Sequence, residues 1–177
     1  IAVILIIAII IKYRDRIQGN LNYKIIGLLF FASCIAYVML VPLKPMGDMD
    51  GIYNGALLFC RSNWKEFYSY SYWNQFPFNM KLSILWGCLV YPFPKLIAFK
   101  IWNIIFAYLI IFFGRKLAKE YIKYYDIAYI VMVFFIPLIL FVNNIYYDLI
   151  VVLLCLIGVC IFKKYNNIFL AFAILGL

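Results

Sequence analysis

Apolar runs alternate with short basic segments along most of this chain. Two runs, Ile25 to Leu43 and Lys95 to Phe113, approach the ~20 residues that an α-helix needs to cross a bilayer. Shorter ones cover Ile127 to Val142 and Leu149 to Phe162, with partial runs at Ile1 to Ile11 and Ile168 to Leu177. The segment Lys12 to Lys24 holds four bases and one acid, a second segment holds Arg115, Lys116, Lys119 and Lys123, and a third holds Lys163 and Lys164. Together they contain ten of the sixteen bases. The positive-inside rule makes all three cytoplasmic loops. The run 25–43 is therefore expected to lead outward and 95–113 to return. The run 127–142 leads out again with a kink at Pro137, 149–162 comes back, and 168–177 starts another outward span. A chain that begins and ends inside apolar runs, without an initiator Met, is expected to be a single transmembrane domain truncated at both ends. Ile1 to Ile11 has no basic segment before it and no small-residue cleavage site after it, so it reads as a partial span and not as a signal peptide.

The long segment 44–94 breaks the alternation and is read as the first outer loop. Within it, Ile52, Ala56, Phe59 and Cys60 recur at i, i+4, i+7 and i+8, which predicts an amphipathic helix over 51–61 lying in the membrane interface. The apolar stretch 79–91 is too short to span, and Pro92-Phe93-Pro94 ends it, so a re-entrant or interfacial helix is expected there. Between the two, Trp64 to Phe78 carries eight aromatic residues. Such a cluster fits an interfacial aromatic belt.

Composition agrees with this pattern. Of 177 residues, 68% are hydrophobic and 13% charged, too few polar side chains to cover a water-soluble globule. The fold class expected is an all-α integral membrane protein, a multi-span helical bundle with interfacial helices in a long first outer loop. The net charge of +9 is dispersed between apolar runs and not gathered on a polar face, which argues against nucleic acid as a partner. Histidine is absent, so acid-base chemistry falls to carboxylates, Lys or Tyr. The five cysteines show no paired spacing, and four of them lie within apolar runs as packing residues.

Seven acids remain to be placed, and four of them, Asp48, Asp50, Glu66 and Asp148, fall on the expected outer face. Asp15, Glu120 and Asp126 fall among the cytoplasmic bases and read as solvated or lipid-facing charge pairs. Asp50 before Gly51 reads as an N-cap of the 51–61 helix. A cap explains neither Asp48 nor the acid in the next outer turn, Asp148, and acids held where helices leave the hydrocarbon are functional candidates by default.

The stretch Gly47-Asp48-Met49-Asp50-Gly51-Ile52-Tyr53, placed after an outward span, together with Asn144-Ile145-Tyr146-Tyr147-Asp148 in the second outer turn, resembles the GT-C superfamily of polyprenyl-phosphate-sugar-dependent glycosyltransferases, in particular its bacterial mannosyltransferase-like members. The resemblance covers about Ile25 to Phe162. Two features depart from the family pattern: the additional span 1–11, and the missing C-terminal half. It implies an enzyme of the bacterial plasma membrane, its site facing outward, that moves a sugar from a polyprenyl-phosphate donor to a hydroxyl of a glycan, lipid or protein acceptor with inversion. Asp48 or Asp50 would be the general base, with Asp48 slightly favoured. Asp148 would shape the site, orient the base or, with Asp50, hold a divalent cation such as Mg or Mn. Lys44, Arg61, Lys65 and Lys81 are the cations near enough in sequence to receive the donor phosphate. Tyr53, Trp73, Asn74, Gln75, Asn144 and Tyr147 are further substrate-binding candidates. Two other classes compete: a transporter or lipid-linked oligosaccharide flippase, and a membrane scaffold without catalysis. Against the transporter stand the absence of midplane charge in the spans and of an inverted repeat.

Overall fold

A computed structural model describes residues 12–165. Among these, the regular structure is entirely helical. Residues 12–17 are helical, and nine further helices follow: α1 (Tyr23–Leu40), α2 (Asp48–Cys60), α3 (Trp64–Tyr68), α4 (Tyr72–Gln75), α5 (Phe78–Val90), α6 (Leu96–Tyr121), α7 (Tyr125–Val133), α8 (Ile136–Phe141) and α9 (Asp148–Tyr165). Two of them, α1 and α6, are long and apolar enough to cross a membrane. The expected partial spans 1–11 and 168–177 lie outside the described residues.

Several boundaries differ from the sequence expectation for identifiable reasons. The second basic segment is not a loop at its start: Arg115, Lys116 and Lys119 ride on the last turns of α6, because residues 115–120 are all strong helix formers. The expected span 127–142 is two helices, not one kinked helix. Pro137 has no N–H to give to the carbonyl four residues earlier, and the chain breaks at Phe134 and Phe135. At the start of α9, Asp148 is the first helical residue.

The chain packs as two units, to which α1 and α6 each contribute residues. The first holds the described residues up to Ser33, Tyr108–Ile136 and the described residues from Val151 onward. Its polar centre is Asp126, only 1% exposed, which corrects the expectation of a solvated or lipid-facing charge. One carboxylate oxygen accepts from Arg115 Nη2 at 2.9 Å and the other from the Gly19 N–H at 2.9 Å. The Asp126 N–H in turn donates to Gln18 Oε1 at 3.3 Å. A buried carboxylate needs such partners to offset its desolvation. Nearby, Tyr129 donates its hydroxyl to the Tyr23 carbonyl at 2.9 Å.

The second unit holds Cys34–Ala107 and Pro137–Ile150. Its core is the packing of α2 on α5, as the apolar stripe of α2 requires: Ile52 and Ala56 are buried, and Phe59 and Cys60 partly so. Close approach depends on small residues. A Cβ on Gly55 would lie 2.5 Å from the Trp73 ring and 2.8 Å from Ser83 Oγ, and one on Gly87 would lie 2.5 Å from the Phe59 ring. Ser83 Oγ donates to the Ile52 carbonyl at 3.1 Å, and Cys60 Sγ to that of Gly87 at 3.3 Å, joining the two helices through polar atoms as well. Of the cysteines, Cys34 is buried as expected of a packing residue, whereas Cys88 and Cys155 are exposed.

Lys100 is a buried cation close to the start of a span-length helix. It lies in α6, is 4% exposed, and donates to the Leu43 carbonyl at 2.8 Å. Two buried amides extend this polar layer. Asn143 Nδ2 donates to the Val41 carbonyl at 3.2 Å, and Asn103 Nδ2 to the carbonyls of Val142 and Asn144. These bonds tie residues 41–43 and the approach to α9 to helix α6, so the segment leading into Asp48 is anchored from within the same unit.

Candidate functional site

Helix α2 opens at Asp48 because Gly47 stops the preceding extended segment with φ 58°, a left-handed conformation that glycine adopts without strain. Gly47 is therefore the N-cap, no side chain caps the helix, and Asp50 does not fill the capping position expected of it. Both acids lie in the first turn, where the helix dipole favours negative charge by about 0.3–1 kcal/mol each. Residues two apart on an α-helix diverge by roughly 200° around its axis, so the two carboxylates leave α2 on different sides.

Asp48 is the one that meets a partner. The Tyr72 hydroxyl, from α4, lies 3.2 Å from Asp48 Oδ1 and 3.3 Å from the Asp48 carbonyl, donating to both. The same hydroxyl accepts from Asn79 Nδ2 at 2.6 Å. An amide, a phenol and a carboxylate thus form a relay from α5 through α4 to the first turn of α2. Burial pushes the Tyr72 phenol above its ordinary value of 10.0, and the nearby Asp48 charge adds to this, while the Asn79 bond works in the opposite direction. The phenol stays protonated and donating throughout the neutral range. Asp48 itself is exposed, so one face of the carboxylate is oriented from below while the other meets solvent.

Neither Tyr146 nor Asp148 of the second turn hydrogen-bonds to Asp48, Tyr72 or Asn79 among the described residues. Tyr146 lies close enough to Tyr72 to raise its pKa, whereas Asp148 forms no hydrogen bond or ion pair among the described residues. Nor do Asp48, Asp50 and Asp148 assemble a metal centre: among the described residues, no group of three His, Cys, Asp or Glu side chains is placed to hold an ion.

The remaining candidates separate by exposure. Lys44, Arg61, Lys65, Lys81, Asn74, Gln75, Asp50, Asp148 and Tyr147 are exposed. Tyr53 is half-buried, edge-on to Phe99 at 5.2 Å, and Asn144 is half-buried with its carbonyl taken by Asn103. Trp73 is a core residue in this structure: 5% exposed, its ring over Gly55 and its indole N–H donating to the Phe67 carbonyl at 2.6 Å. Its burial leaves no free ring face for a sugar. Among the clustered aromatics, Trp64, Tyr68, Phe76 and Phe78 do present exposed surface.

Two residues of the cluster, Tyr72 and Asn79, were missed in the sequence. Tyr72 was one aromatic among eight, and Asn79 was a loop-to-helix polar residue. The lone lysine at position 100, inside an apolar run, was a signal that pattern reading can use, since an uncompensated cation there requires a buried acceptor. No protein-family model matches the chain, and neither a curated protein nor a solved structure shows significant similarity to it.

Proposed function

We propose that the chain is the Asp-bearing part of a membrane glycosyltransferase of the GT-C kind, in a multi-span helical bundle, transferring a sugar from a polyprenyl phosphate to an acceptor hydroxyl. The observation that carries this reading is the exposed Asp48 carboxylate, held by the Tyr72 hydroxyl at the start of an amphipathic helix that follows a span-length apolar one. Such a carboxylate has the attributes of a general base: a fixed orientation, an accessible oxygen and water-facing placement. Asp48 accepts the acceptor's hydroxyl proton as that oxygen attacks the anomeric carbon from the side opposite the phosphate. The anomeric C–O bond breaks, the phosphate leaves with the electron pair, and configuration inverts. Exposed Lys44, Arg61 and Lys65 are suited to receive the phosphate as point or forked charges. Asp50, directed elsewhere on the helix, is the secondary candidate. In this reading the Asp48 segment faces the outer side of a bacterial plasma membrane and the basic segments face inward.

The test is transfer of labelled sugar from a polyprenyl phosphate in membranes, comparing wild type with Asp48→Asn and Asp50→Asn. Loss on the order of 10²-fold or more with Asp48→Asn, and a smaller loss with Asp50→Asn, is expected. Full transfer by a normally folded Asp48→Asn protein overturns the reading.

A second reading, a transporter or flippase, is favoured by one observation: the buried polar layer of Lys100, Asn103 and Asn143. Two of these residues, Lys100 and Asn103, lie in the span-length helix α6, and polar groups inside spans mark ion and substrate paths. Substrate uptake by proteoliposomes that depends on Lys100 but not on Asp48 supports it over transfer.

A further inference from the structure

A cavity of about 170 Å³ lies in the first unit, lined by Tyr23, Tyr108, Tyr129, Arg115, Lys116 and Lys119 together with apolar Ile111 and Phe112. It is comparable in size to cavities of ~150 Å³ that hold a benzene-sized guest. Its lining contains three bases and no acid. The carboxylates nearest in the packing are already engaged: Asp126 binds Arg115, and Glu120 pairs with Lys163. Lys116 and Lys119 form no ion pair among the described residues, so the cavity carries an excess of positive charge.

Arg115 is preorganised there. Its guanidinium lies 4.2 Å from the Tyr23 ring centroid, 5.3 Å from that of Tyr125 and 5.8 Å from that of Tyr129. Asp126 holds one end of it, while the buried Nε has no hydrogen-bond partner. A guanidinium stacked on rings and satisfied on one edge keeps its other donors for an anion. The phenols of Tyr23 and Tyr108 supply further donors on the same wall.

Position on the helices selects the kind of anion. Tyr23 opens α1, Arg115 to Lys119 close α6, and these are the two helices apolar enough to cross a membrane. The cavity therefore sits where an apolar run gives way to basic residues, the depth of a phospholipid headgroup, with Ile111 and Phe112 beside it for the glycerol and upper acyl carbons. We infer that this cavity is a binding site for the phosphodiester headgroup of an anionic phospholipid. The inference requires α1 and α6 to cross a membrane and does not depend on the glycosyltransferase reading.

The experiment is native mass spectrometry of the detergent-purified protein titrated with phosphatidylglycerol, phosphatidylcholine or glycerol 3-phosphate. Three forms are compared: wild type, Lys116→Gln/Lys119→Gln, and the control Lys12→Gln/Lys123→Gln, which removes the same charge from exposed bases outside the cavity. Expected is retention of phosphatidylglycerol that weakens on the order of tenfold or more in the cavity variant and stays at the wild-type level in the control. Equal retention by the cavity variant and wild type overturns the site, as does equal weakening in both variants. Equal binding of phosphatidylcholine removes the anionic selectivity, and equal occupancy by glycerol 3-phosphate reassigns the cavity to soluble phosphate esters. Either result overturns the inference.

Discussion

Tyr72 donates its hydroxyl to the Asp48 carboxylate at 3.2 Å across 24 residues of sequence. This one bond gives Asp48 an orientation that Asp50, in the same helical turn, lacks.

Replacing Tyr72 by Phe therefore has a functional and an electrostatic consequence. If Asp48 is the base, Tyr72→Phe lowers sugar transfer about tenfold, a fraction of the 10²–10⁴ that a positioned base contributes. Initial rates at saturating donor measure this directly. The fold raises the phenol's pKa above its ordinary value, so the stabilisation from keeping it neutral is fully present below pH 10.0 and is lost as pH rises through the folded value. Thermal midpoints from pH 7 to 11 should fall more steeply for wild type than for Tyr72→Phe at the alkaline end.

Glycine substitutions in α2 separate packing from positioning. A Cβ on Gly55 meets Trp73 and Ser83 at 2.5–2.8 Å, both buried, so Gly55→Ala should cost about 1–3 kcal/mol in denaturant unfolding. The nearest atoms to a Cβ on Gly51 belong to the Tyr72 ring, at 2.6 Å. That ring is half-buried and can swing away, so Gly51→Ala should reproduce the activity loss of Tyr72→Phe with a smaller loss of stability.

The Arg115–Asp126 pair is a stability determinant. Asp126 is 1% exposed and the Arg115 side chain 19%, so Arg115→Met leaves an uncompensated buried carboxylate and should cost about 3–5 kcal/mol. Adding Asp126→Asn removes that charge while keeping an oxygen for the Gly19 N–H, and should recover a large part of the loss. A double variant no more stable than Arg115→Met contradicts this account of the pair.

Lys100→Met preserves the apolar stem and removes the bond to the Leu43 carbonyl. A hydrogen bond from a charged donor contributes about 1.5–3 kcal/mol, and a lower thermal midpoint is expected. A higher midpoint would show that desolvating the ammonium outweighs its hydrogen bond.

Local patterns in the chain were sufficient for several of the elements. The apolar runs placed α1 and the start of α6, the i, i+4, i+7, i+8 spacing placed α2 and its buried stripe, and the Pro-Phe-Pro stop bounded α5. These features are set within a few residues, by side-chain periodicity and by the hydrogen-bonding limits of proline. Partnerships between distant residues were not legible in the same way. Tyr72 reaches Asp48 over 24 residues, Arg115 encloses Asp126 across the α6–α7 turn, and Asp126 meets Gly19 over 107. No periodicity links such positions. Which acid is oriented, which is buried and which lysine is drawn into an apolar helix depend on the packing of α2, α4, α5, α6 and α7, because a buried polar atom is stable only where that packing brings it a partner. The Asp48–Met49–Asp50 motif was visible as two candidate acids separated only by the capping role expected of Asp50, and the fold distinguishes them by placing one phenol beside Asp48.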